Sequence, residues 1–296
     1  MAVKVVYAIT CHRVTNPLVH TVSYLSSSED NVILLHIDGK SDINNFLKLE
    51  KSNVYLIPDR LEVTWAHKSQ IDSVIKLMEY SLKFEYDFFF LLSGDDIPLK
   101  TNEKLKQFLT KHYEYNFLDF DPSADDKHIY ERVIYDYPSY YYDRNHNKQN
   151  AIKKKLFEKT RDLFYKNKVF EANNGRMPKL YKGSNWFSLK KDTIEYILEY
   201  LKQNEWYLNV FEKSLASDEI IFHSIIMTNP NIKIFKKLEY PDIALRYIDW
   251  QSGPDYPRIL NNEDVDKMKN SPSFFARKIK PDATKEFMEQ FLKSSN

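Results

Sequence analysis

A single cysteine, Cys11, stands in 296 residues, which excludes an intramolecular disulfide and a cysteine-built metal site. Such a chain suits a reducing compartment. Neither sign of charge is in excess: 43 Lys and Arg face 42 Asp and Glu, a formal net charge of +1, so no global field draws in nucleic acid. Long apolar runs are missing too, and no stretch reaches the ~18 consecutive apolar residues of a membrane span. The apolar run within MAVKVVYAITCHR is too short for a signal peptide and lacks its cleavage pattern. The expected location is therefore the cytoplasm, with peripheral contact to the inner membrane face left open. Glycine is scarce, at five residues, and no Gly-rich phosphate loop is present.

Aromatic residues are abundant, with 21 Tyr and 19 Phe; most are expected in core and half-buried surface. Val3 to Thr10, Val32 to Ile37 and Val54 to Ile57 read as three apolar strands separated by helix-sized segments, the pattern of a parallel sheet. Ile71, Val74, Ile75, Met78 and Leu82 recur at helical spacing and predict an amphipathic helix over His67 to Phe84. Asp87 to Leu99, DFFFLLSGDDIPL, adds a fourth strand, Phe88 to Leu92, apolar on both faces and broken by Ser93-Gly94-Asp95-Asp96 and Pro98. Cys11-His12, Asp38 and Asp95-Asp96 then share the carboxyl edge of the sheet, where open α/β sheets bind ligands. An Asp-rich turn before a helix starting near Asn102 is the plainer reading of the last pair.

The second half is less regular. An aromatic, charged stretch ends in YDYPSYYYD (Tyr135 to Asp143). Lys148 to Lys168 is lysine-rich and helical, with Ile152, Leu156, Leu163 and Phe164 as one apolar stripe. Leu180 to Leu189 reads as a strand interrupted at Gly183-Ser184, Thr193 to Leu201 as a helix, Ile232 to Tyr240 as a strand, and Ala283 to Leu292 as a last helix. Ser217-Asp218-Glu219 opens a further helix through Ile225, with Ser217 as a possible N-cap and the acids complementing the helix dipole. The expected architecture is one domain over 1–296, with a nucleotide-binding half (1–110) and an acceptor-binding and catalytic half (111–296).

The motifs YAITCHR, HID (His36 to Asp38), VTWAHKSQ, SGDDIPL, GSNWF, SDE, ALRYIDW and FFARK together resemble the core-2/I-branching N-acetylglucosaminyltransferase and peptide O-xylosyltransferase family, in the family's order and over nearly the whole chain. The resemblance implies a GT-A-like α/β fold with a mostly parallel central sheet flanked by helices. It also implies a metal-independent, inverting glycosyltransferase that uses a UDP-sugar donor, N-acetylglucosamine first and xylose second. No metal or other cofactor is expected. Asp95 and Asp96 are adjacent, with Ile97 and Pro98 where a spaced partner would be needed, so joint capture of one ion is disfavoured; ligation of a metal by these two is the alternative.

By the same resemblance, Glu219 matches the catalytic base, with Asp218 next to it as the substitute. Arg246 and Lys278 match the groups that contact the donor diphosphate, and Arg277 exchanges with Lys278 if the alignment shifts by one. Cys11, His12 and Asp38 match positions near the uridine; Trp65 lines that pocket or the core. Asp95 and Asp96 bind donor sugar or ribose, or hold the loop. Trp186, Ser184 and Asp119 fall on the acceptor side. The compact chain resembles a bacterial member acting on a surface polysaccharide or lipid-linked glycan. Lys148 to Lys168 either touches an anionic membrane or is a solvated helix face. A catalytically silent glycan-binding protein and a metal-dependent nucleotidyltransferase are the rival readings.

Overall fold

The computed structural model describes residues 3–121, 126–144, 148–236, 244–252 and 257–293. Its strands are β1 (Val5–Cys11), β2 (Asn31–Ile37), β3 (Val54–Leu56), β4 (Phe88–Ser93), β5 (Ile97–Pro98), β6 (Phe117–Leu118), β7 (Phe187–Lys190), β8 (Arg246–Ile248) and β9 (Phe275–Arg277). Six of them form the main sheet in the order β3-β2-β1-β4-β7-β6. The first four run parallel, and β7 and β6 add an antiparallel margin. Strands from both halves of the chain thus share one sheet, and the expected mostly parallel α/β fold is what is found.

The apolar strands alternate between two cores. Val6, Ala8, Leu34, Phe89 and Leu91 face one side, covered by Ile71, Leu77 and Met78 of the helix Ser69–Ser81 and by Ile194 and Ile197 of the helix Lys191–Gln203. Val5, Tyr7, Ile9, Leu35, Phe88 and Phe90 face the other, covered by Leu18 and Val22 of Asn16–Leu25 and by Leu105 and Leu109 of Asn102–Lys111. Burial on both faces explains why these strands read as unbroken apolar runs. Because β2 and β3 lie on one side of β1 and β4 on the other, the strand order reverses between β1 and β4. A crevice at their carboxyl ends follows from that reversal.

Pro98 does not end the story of β4. The chain turns through Gly94-Asp95-Asp96 into β5, which joins a second, three-stranded sheet ordered β5-β9-β8. Antiparallel pairing of Ile97 with Ala276, and the Ile279 amide donating to the Asp95 carbonyl at 2.9 Å, deliver Arg277 and Lys278 to the acidic turn.

Several elements differ from the sequence expectation. Only Phe187–Lys190 of 180–189 is strand. A Cβ on Gly183 would run into the Asp119 carbonyl and the His223 ring, so the backbone there is pressed against its neighbours and follows an irregular path. Ile234 makes a single bridge to Asn116 where a strand over 232–240 was expected; 237–240 lie outside the described residues. Ser217–Glu219 is one short 3₁₀ turn, and the helix proper runs Ile221–Ile226. Ser217 caps nothing: its hydroxyl is paired with that of Ser214 at 2.5 Å. Among the described residues, no helix is long and apolar enough to cross a membrane.

Candidate active site

A cleft of about 470 Å³ opens at the carboxyl ends of β1 and β4, lined among others by Cys11, His12, Asp38, Trp65, Asp95 and Trp186, with Arg277 and Lys278 on the far wall. Eight residues chosen from sequence motifs therefore meet in one place. The floor is anchored by Thr15, whose hydroxyl donates to the Gly94 carbonyl at 2.8 Å and accepts from the Leu18 amide at 3.2 Å. Asn16–Leu25 thereby starts directly beneath the acidic turn.

The two turn carboxylates point to different places. Asp96 folds back on its own strand end, accepting from the Ser93 hydroxyl at 2.6 Å and the Ser93 amide at 3.2 Å. It is fully buried, and that burial raises its pKa against the opposing pull of Arg277 and Arg246. Asp95 faces the cleft, with Lys278 Nζ at 3.6 Å and Arg13 at 4.0 Å. Asp96 is thus a positioning residue, and of the pair only Asp95 is available to a ligand.

Arg277 occupies the centre of the far wall. Its guanidinium lies 3.8 Å from the centroid of the Trp186 indole, with Nε 3.7 Å from Asp96 Oδ1. Nε and Nη1 are buried and make no hydrogen bond among the described residues. Burial, ahead of every other cause, lowers its pKa. Buried N–H donors without acceptors are costly, and a pair of them on a cation beside a cleft is the chemistry of an anion site.

Arg246 is elsewhere, which corrects its expected role at the diphosphate. It is 1% exposed, and its guanidinium donates to the carbonyls of Leu91 and Ala244, both at 2.6 Å, and to the Ser188 hydroxyl at 3.3 Å. Phe90 and Phe275 flank it. Arg246 fastens the second sheet to β4, and burial pushes its pKa down to about 10.

The remaining cleft residues divide by job. Cys11 is buried, with Sγ 3.7 Å from the His36 carbonyl, and burial pushes its thiol far up. The pKa of His12 is lowered by partial burial and by Arg13. Asp38 accepts from the Lys40 amide at 2.9 Å and keeps a carboxylate at the cleft edge. Trp65 is 45% exposed, with the Arg144 guanidinium 4.9 Å above its ring; it is a rim residue and not core.

The acceptor-side expectations need revision. Trp186 is nearly buried and carries Arg277 on its face, so it is a wall of the cleft and not an open sugar platform. Ser184 accepts from the Trp186 amide at 3.3 Å, fixing the local turn. Asp119 accepts from the Ala244 amide at 3.0 Å and ties two loops together.

A smaller hollow shares Thr10, Gln70 and Trp186 with the main cleft and reaches Asn185 and Asp218. Asn185 donates to Asp218 Oδ2 at 2.9 Å. Asp218 is buried, and its pKa rises to about 7, first through burial and then through the adjacent Glu219 charge. Glu219 turns the other way, to Arg132 at 2.7 Å and Lys182 at 3.5 Å, with its side chain 28% exposed. Two residues with left-handed backbone, Ala66 (φ 59°) and Ala216 (φ 48°), join the cleft rim to this turn: the Ala216 amide donates to the Ala66 carbonyl at 2.8 Å. Strain of this kind in non-glycine residues gathers at functional sites.

Sequence reasoning missed Arg13, Gln70 and Arg144 as cleft residues. Arg13 adjoins the His12 motif and was within reach; nothing in the Tyr-rich segment singled out Arg144.

The sequence matches the model of the core-2/I-branching enzyme family over residues 5–286. The chain belongs to that family. Among curated proteins it is similar to human xylosyltransferase 2, at 24% identity over 293 residues, covering 88% of this chain and 30% of that protein. Human xylosyltransferase 1 is similar at 24% identity over 294 residues, covering 88% and 27%. The rat xylosyltransferase 2 gives 24% over 296 residues, covering 88% and 30%. The chain spans about 30% of the length of these relatives. At the level of the family, the reading of the branching motifs as those of a glycosyltransferase is borne out.

Proposed function

We propose that the cleft binds a UDP-sugar and that the protein transfers its sugar, with inversion and without a metal ion, to a hydroxyl of a glycan acceptor. The observation that carries this reading is Arg277: a buried cation whose Nε and Nη1 make no hydrogen bond among the described residues, lying over Trp186 and next to Lys278, at the switch point of a parallel sheet. A diphosphate supplies what those donors lack. Fixed cations aimed at the departing group also supply the electrostatic stabilisation that a metal gives in other sites, and Asp95 and Asp96, pointing apart, do not form a shared ligand pair.

In the proposed step the acceptor oxygen attacks the anomeric carbon as the bond to the diphosphate breaks, and its electron pair leaves with UDP beside Arg277 and Lys278. The acceptor proton passes to Glu219. Arg132 and Lys182 hold that carboxylate in place. Asp38 and His12 face the nucleoside. The names of the relatives weigh toward xylose as donor, and the branching motifs toward N-acetylglucosamine; both belong in a donor screen. Surface polysaccharide or lipid-linked glycan is the proposed acceptor class, and the cytoplasm the proposed location.

Glu219→Gln tests the assignment. Transfer is expected to fall by about 10³-fold, within the range of a lost general base, with UDP affinity unchanged. Wild-type-like turnover in that variant, with loss instead in Asp218→Asn, would move the base to Asp218.

A further inference from the structure

The helix Lys148–Phe164 (KQNAIKKKLFEKTRDLF) carries an apolar stripe on the wrong side for a core. Ile152, Leu156, Leu163 and Phe164 are 68%, 61%, 78% and 76% exposed, whereas Phe157 is buried. Phe157 is the buried residue of the helix, packing against Tyr135, Tyr137, Tyr141 and Tyr165. At 100° per residue, Ile152, Leu156 and Leu163 fall on one line facing away from it.

The charges around the stripe are sorted. The helix holds six basic residues, Lys148, Lys153, Lys154, Lys155, Lys159 and Arg161, against two acids, Glu158 and Asp162. Both acids are engaged toward the protein: Glu158 pairs with Arg161 at 2.9 Å and accepts from the Tyr141 hydroxyl at 2.8 Å, and Asp162 accepts from the Tyr135 hydroxyl at 2.5 Å. Lys148, Lys155 and Lys159 are exposed and flank one side of the stripe, with Lys153 on the other. Exposed apolar side chains in a row, bordered by lysines and with both acids already paired, match an interfacial helix that lies in the plane of a membrane.

We propose that Lys148–Phe164 is a docking helix for an anionic lipid surface, with Ile152, Leu156 and Leu163 entering the headgroup boundary and the flanking lysines meeting anionic headgroups. Charge complementarity selects this occupant over a second copy of the chain, since two such helices face to face would oppose lysine with lysine. The inference stands apart from the catalytic reading, because it depends on no residue of the cleft.

Co-sedimentation of the full chain with vesicles of phosphatidylcholine, with and without phosphatidylglycerol, is the test. Binding is expected on the mixed vesicles, weak or absent on phosphatidylcholine alone, and reduced by high salt. Combined Leu156→Ser and Leu163→Ser, and separately combined Lys155→Glu and Lys159→Glu, should each lower partitioning by about tenfold or more. All four side chains are exposed, so unchanged circular dichroism and thermal melting are expected in both variants. No binding to the mixed vesicles, binding insensitive to both variants, or a concentration-dependent dimer that the serine variant abolishes would overturn the proposal.

Discussion

The guanidinium of Arg277 lies 3.8 Å from the centroid of the Trp186 indole, and the two come from opposite parts of the fold. Trp186 precedes β7 of the main sheet, and Arg277 ends β9 of the small one. Where the sheets meet, a buried cation lies over a ring, and both residues line the cleft.

Arg277→Lys therefore should do more than a conservative change suggests. Lysine keeps the charge and loses the planar fork and the stacking, so UDP affinity is expected to drop about tenfold, the size of one partly buried cation–π contact. Trp186→Phe, which keeps a smaller ring under Arg277, is expected to fall between the two. Calorimetric titration with UDP measures both; equal affinity in wild type and Arg277→Lys would remove Arg277 from the diphosphate site.

Asp218 predicts a pH-dependent stability. Its carboxyl is raised from 3.8 to about 7 in the folded protein, chiefly by burial. Between those values the native state binds more protons than the unfolded one, so this group's contribution to stability falls as pH rises through the window. Asp218→Asn keeps an acceptor for Asn185 and has no charge to bury. The variant is expected to gain on wild type by a few kcal/mol on going from pH 4 to pH 8, measured by denaturant unfolding at both pH values. A gap that stays constant between them would contradict the assignment.

Much of this was legible in the sequence, and the limits have physical causes. β1, β2 and β4 could be read because strands buried on both faces are continuous apolar runs, and the polar turns after them fall on one edge by the logic of parallel sheets. The motifs put Arg246 and Lys278 at the diphosphate, with Arg277 only in place of Lys278, because a basic residue inside an apolar motif does not reveal which way it points. Pairing of β8 with β9 decides that Arg246 points under the main sheet and Arg277 into the cleft. The SDE motif singled out Glu219, but its partners Arg132 and Lys182 lie far away in sequence. Periodicity marked Lys148 to Lys168 as helical and was silent on which stripe would be covered, because one aromatic, Phe157, outweighed four aliphatic and aromatic neighbours by finding a tyrosine cluster to pack against.

The proposed turnover of a UDP-sugar at this cleft relies on fixed cations in place of a metal. Measuring UDP released from UDP-xylose and UDP-N-acetylglucosamine in excess EDTA, in wild type and in Lys278→Ala, tests it most directly. UDP release from at least one donor is expected to proceed undiminished with the chelator and to fall by about 10²-fold in the variant, the scale of one lost charge-stabilising group. Release that stops in EDTA and returns with manganese would contradict the claim and restore Asp95 and Asp96 as metal ligands.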